Sequence, residues 1–132
     1  MYNWSEFSNP LNTQTLEMKK NNLIVDLSFE FAVAVIKYCE LLDEKRKYVI
    51  SKQLLRSGTS IGANVRESQS AESKKDFIHK LKIADKEANE TEYWLELCGK
   101  SEHYPCSKEL ISKLLSIKRV LSKIISSSKM RK

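Results

Sequence analysis

The sequence predicts an all-α fold: an antiparallel up-down-up-down four-helix bundle with an irregular N-terminal arm. Three observations carry that expectation. Only three glycines and two prolines punctuate 132 residues, too few for the turns of a β-sandwich or an α/β enzyme. Four stretches repeat apolar residues at alternating steps of four and three, the period of a buried helix face. Short polar breaks separate them, so consecutive helices must run antiparallel. A single domain of this length buries a core without needing disulfides or metal.

Residues 1–20 show no sustained period, and Pro10 with its Asn, Ser and Thr neighbours reads as the irregular arm. The bundle is expected over 21–128, with helices at about 22–42, 46–69, 74–99 and 107–127. In the first, Leu27, Phe31, Ala34, Tyr38 and Leu41 share one face. Leu23, Ile24, Val25, Phe29, Val33, Val35, Ile36 and Leu42 are apolar too, and only Asp26, Glu30, Lys37 and Glu40, with Ser28 beside them, form a polar stripe. One buried side does not account for so much apolar surface. Its four charges exclude a membrane span, which leaves a second buried face at a subunit interface.

Asp43-Glu44-Lys45 makes a polar turn before the second helix, whose inward face is Ile50, Leu54, Ser57, Ile61 and Val65. Ser73-Lys74-Lys75-Asp76 has capping-box form and opens the third helix. That helix carries the cleanest repeat: Phe77, Leu81, Ala84, Ala88, Thr91, Leu95 and Cys98, the seam of an antiparallel bundle. Gly99 and Pro105 end it. The fourth helix turns Leu110, Leu114, Ile117, Leu121 and Ile124 inward, and Ser112, Ser116, Arg119, Lys123 and Ser126 outward. A basic tail, 129–132, completes the chain.

The net charge of +6 is unevenly spread. Residues 102–132 carry Lys108, Lys113, Lys118, Arg119, Lys123, Lys129, Arg131 and Lys132 against Glu102 and Glu109, whereas residues 70–101 come out slightly acidic. A basic last helix suits an anionic partner, nucleic acid before others, although a charge run is also an ordinary solvated face. Cys39, Cys98 and Cys106 form no C-x-x-C pair and follow no apolar leader, so reduced thiols in a cytoplasmic protein are expected. Cys39 and Cys98 read as small core residues.

The stretch LLRSGTSIGANVRESQ (54–69) contains G-T-S-I-G, the form of a serine-hydrolase nucleophile elbow. An elbow needs a strand before the serine and a sheet that brings in a histidine and an acid. Ser60 instead lies within helical periodicity, and the two histidines, His79 and His103, sit among charges and in a loop. No lysine follows the glycines at phosphate-loop spacing either. The sequence therefore predicts no enzyme. It predicts no metal or other cofactor: Asp76-x-x-His79 has no second copy for a di-iron bundle, and Cys98, His103 and Cys106 match no common zinc spacing.

The glycines have a packing rationale. Each costs roughly 0.8–1 kcal/mol in a helix relative to alanine. Gly58 and Gly62 are four apart, so together they open a groove where Trp94, Tyr93 or another helix can settle and recover that loss by contact. Glu87 and Glu90 share a face of the third helix and are placed to pair with Arg56 or Arg66.

Three blocks, QLLRSGTSIGAN (53–64), SKKDFIHKL (73–81) and ETEYWLEL (90–97), resemble the four-helix-bundle family encoded in intervening sequences of bacterial 23S ribosomal RNA genes. The likeness extends over about residues 21 to 125; the arm lies outside it, and Asp85 departs toward a more acidic residue than the family usually has. More distantly, the chain resembles the accessory protein of diversity-generating retroelements, a basic bundle that works with a reverse transcriptase and RNA. The resemblance implies a homopentameric ring, in keeping with the over-apolar first helix, and no established activity.

Two functional expectations result. One is a non-enzymatic oligomer that binds RNA or DNA electrostatically through Arg56, Arg66, Lys113, Lys118, Arg119 and Lys123, without base stacking because no aromatic residue interleaves the final lysines. The other is an interaction scaffold recruiting a protein partner such as a reverse transcriptase.

Overall fold

A computed structural model describes residues 13–130 of the chain, with side chains from 22 to 130. Among these residues are four α-helices: α1 (Thr13–Glu44), α2 (Tyr48–Ser68), α3 (Lys74–Lys100) and α4 (Lys108–Met130). Each packs on its neighbour in sequence, and α4 closes back onto α1, so α1 and α3 are diagonal, as are α2 and α4. This is the expected four-helix bundle.

Two boundaries differ from the sequence expectation by more than two residues; the others shift by two or fewer, α1 running through Asp43 and Glu44 of the expected turn. α1 begins at Thr13 rather than near Asn22, so the second part of the proposed arm is helical. Residues 13–20 contain no glycine or proline, and extending a helix already nucleated by a packed segment costs little per residue. The rest of the arm, 1–12, lies outside the described residues. At the other end Lys129 and Met130 belong to α4 rather than to a tail, and residues 131–132 are outside the description.

The inward face of α1 also differs. Ile24, Ser28, Phe31, Val35, Tyr38, Cys39 and Leu42 are buried, while Leu41 is 46% exposed and Leu27 and Ala34 lie at the flank. Ser28, expected beside the polar stripe, is in the core. The cause is α2. A Cβ at Gly58 would stand 2.9 Å from Val35 Cγ1, and one at Gly62 would stand 3.3 Å from the Ser28 carbonyl oxygen. The glycine groove is therefore filled by α1, not by Trp94. Only short or β-branched residues can occupy that line, and Ser28 and Val35 set the rotation of α1. Periodicity does not choose this face, because α1 is apolar on nearly every side.

The same seam is tied by polar atoms. Ser51 Oγ donates to the Cys39 carbonyl at 3.2 Å, and the Cys39 thiol donates to the Ser51 carbonyl at 3.4 Å. On the other side of α2, Thr91 Oγ1 meets Ser57 Oγ at 3.0 Å within the core. The expected core of α2 holds, with Ile50 half-buried and Ser51, Gly58 and Ser68 added. In α3 the repeat from Leu81 to Cys98 is buried, with Phe77 packed at its edge. All five apolar residues assigned inward on α4 are buried.

The cap of α3 forms in modified shape. Ser73 Oγ accepts from the Asp76 amide at 3.0 Å, but the Asp76 carboxylate reaches the Glu72 amide at 3.4 Å rather than that of Ser73. Between α1 and α2 the chain turns through Arg46 at φ 62°, and the Lys47 amide closes on the Leu42 carbonyl at 2.8 Å. Tyr38 Oη donates to the Pro105 carbonyl at 2.7 Å, which anchors the α3–α4 loop to α1.

Candidate nucleic-acid interface

The six basic residues singled out in the sequence do not form one surface. Arg56 spans the α2–α3 seam: Nη1 donates to Glu87 Oε2 at 3.1 Å and Nη2 pairs with Glu90. The Trp94 indole donates to the same Glu90 oxygen at 3.0 Å. That bond first, and then Arg56, hold the Glu90 carboxyl below the usual carboxylate range. Arg56 is thus the pairing partner expected for Glu87 and Glu90, and its charge is already answered. Arg66 points to the other side of α2, where its guanidinium lies 5.2 Å from the centre of the Phe29 ring on α1, a cation–π contact.

On α4 the cations divide again. Lys118 faces α3 and donates to Glu92 Oε1 at 2.7 Å, with both side chains only about a quarter exposed. Lys113 faces α1 and lies 3.5 Å from Glu109, one turn earlier. Arg119 and Lys123, four residues apart, project from the side of α4 opposite its buried row. Both are exposed, and neither pairs with a carboxylate among the described residues. Because α2 and α4 are diagonal, Arg56 and Arg66 do not join them.

A denser set of cations lies outside the six. Lys74, Lys75, His79 and Lys82 from the start of α3 meet Lys129 from the end of α4 around a groove of about 590 Å³ floored by Ile78. Its signal is present in the sequence: Lys75, His79, Lys82 and Lys86 are spaced four-three-four, on the side of α3 away from its core repeat. Charge summed over the segment conceals it. Glu87, Glu90, Glu92 and Glu96 follow on the same helix and cancel the total, although three of them are spent on Arg56 and Lys118.

The remaining motifs resolve as packing. Residues 54–68 are helical, and Ser60 Oγ donates to the Arg56 carbonyl at 2.6 Å, as a helix serine does. Among the described residues no three His, Cys, Asp or Glu side chains gather to hold a metal ion. Burial pushes the Cys39 thiol up to about 11 and also raises Cys98, so both are protonated core residues; Cys106 is exposed. No helix among the described residues is long and apolar enough to cross a membrane.

Fold and surface together define a class: small antiparallel four-helix bundles with cations on an outer helix and an apolar surplus on the first. The chain belongs to the 23S rRNA-intervening sequence protein family, whose profile matches residues 20–127. The solved structure of a protein of unknown function from the S23 ribosomal protein family of Bacteroides thetaiotaomicron is 48% identical to it. That match covers 81% of this chain and 98% of the other, with a TM-score of 0.77. No curated protein matches at a significant level.

Proposed function

We propose that this protein is a non-enzymatic, self-assembling bundle that binds RNA or DNA electrostatically through the outer side of α4. The observation that carries the reading is the placement of Arg119 and Lys123. They share one outward face and meet no carboxylate among the described residues, while most other candidate cations are neutralised by neighbours. A cation held against a carboxylate releases few counterions when a phosphate arrives, whereas an unpaired one contributes its full share.

Assembly rests on α1. Phe29 is 54% exposed, Ile36 44% and Val33 39%, and with Leu41 they leave a helix apolar on two sides in a single copy. The occupant that fits is a second copy of this chain, and five copies in a ring is the number the family likeness implies. A ring repeats the weak α4 face and turns it into a multivalent one. The same apolar side supports the second reading, a scaffold that docks a protein partner such as a reverse transcriptase.

Salt-dependent binding to a structured RNA tests the proposal. The protein binds at low salt, and Arg119→Glu with Lys123→Glu weakens it about tenfold and flattens the salt dependence. Arg56→Met leaves affinity within about twofold, because its charge is already paired. Absence of binding at low salt, or indifference to the α4 pair, defeats the nucleic-acid reading.

A further inference from the structure

We propose that the groove between the start of α3 and the end of α4 is a phosphate-binding site for the backbone of a nucleic-acid strand. The inference rests on the nucleic-acid reading above and assigns its anchoring point to different residues.

Four lysines converge there, Lys74, Lys75 and Lys82 from α3 and Lys129 from α4, with His79 between them. None of the four pairs with a carboxylate among the described residues. The nearest acids in sequence are Glu72, whose side chain pairs with none of these lysines, Asp76, which is turned toward the Glu72 amide, and Asp85, on the flank of the lysine row. Lys129 stands so close to Lys82 that it pulls the Lys82 ammonium below the usual lysine range, and Lys86 adds to the repulsion. Two cations held together without an acid between them are a local conflict that a bound anion removes.

The start of α3 sharpens the conflict. Lys74 and Lys75 occupy the first turn of α3, where the helix dipole already presents positive charge and acidic residues are preferred. Asp76 is the one acid of that turn, set against the two lysines. Ile78 and the lysine stems give the groove an apolar floor, which suits the sugar edge of a strand better than a fully hydrated ion. Lys75, His79, Lys82 and Lys86 continue along α3 as a track, the form that a chain of regularly spaced phosphates needs.

The test is anisotropy titration of a labelled single-stranded RNA over a salt series, comparing Lys82→Glu/Lys129→Glu with a charge-matched pair at exposed sites, Lys45→Glu/Lys52→Glu. Circular dichroism establishes folding, and Lys82→Gln/Lys129→Gln serves if the reversal does not fold. The groove pair is expected to weaken binding at least about tenfold and to lower the salt slope by about 1.4, two phosphate contacts at roughly 0.7 each. Inorganic tripolyphosphate is expected to compete with RNA on the unaltered protein and to have little effect on the groove variant. Equal losses in the two charge-matched pairs overturn the groove while leaving the nucleic-acid reading in place. Tripolyphosphate that fills the groove without displacing RNA overturns the strand assignment. No RNA binding by the unaltered protein overturns both.

Discussion

The α1–α2 side and the α3–α4 side of this bundle are built on opposite rules. On the first, the helices approach closely over Gly58 and Gly62, the contacts are Ser28, Val35, Cys39 and Ser51, and the outer surface is apolar at Phe29 and Ile36. On the second, leucine and isoleucine of α4 pack over the smaller residues of α3, and lysines line the groove at the exposed edge. Small residues let backbones meet, so α1 turns several of its large side chains outward. The α3–α4 side fills its seam with leucine and isoleucine from α4, and at the start of α3 its outer surface is cationic. One bundle thus exposes an apolar face and, across the molecule, a cationic one.

The comparison breaks most visibly at the apolar face. Phe29→Asp with Ile36→Asp is expected to reduce the solution mass at micromolar concentration to that of one 15.3 kDa chain, with the helical circular dichroism retained because both residues are exposed in the single copy. An unaltered protein that already runs as one copy removes the assembly claim. Next in size is Gly58→Leu. The added side chain meets Val35 at once, and overpacking of this kind costs about 1–3 kcal/mol, read by denaturant unfolding. Leucine at the outward Lys86 should shift stability by no more than about 0.5 kcal/mol. Equal effects at the two sites refute the close approach.

The smallest effect is a titration. Glu90 is held low by the Trp94 indole and then by Arg56, so its contribution to stability is complete above the ordinary glutamate value of about 4.3 and is lost as pH falls through the lowered one. Trp94→Phe should raise the Glu90 titration by carbon NMR toward that ordinary value and move the loss to higher pH. An unchanged titration means that the indole does not bond Glu90 in solution.

Much of the architecture is legible in the residue order. The α3 and α4 cores follow their repeats almost residue for residue, because the apolar residues of each helix concentrate on one side. The Arg56–Glu87–Glu90 group follows from complementary charges on adjacent helices. The face of α1 is different: Leu27, Ala34 and Leu41 compete equally well on periodicity, and contact with two glycines breaks the tie against them. Of the candidate interface, Arg119 and Lys123 stand clear as expected. Arg66, Lys113 and Lys118 are instead engaged by Phe29, Glu109 and Glu92.

By itself, then, the order of residues determined that four helices form, where they turn, and which sides of α2, α3 and α4 face inward, since those are local consequences of periodicity and turn chemistry. Tertiary structure alone decided the rotation of α1 and brought Lys129 beside Lys82. Both depend on what stands opposite a residue, and no spacing along one chain contains that information.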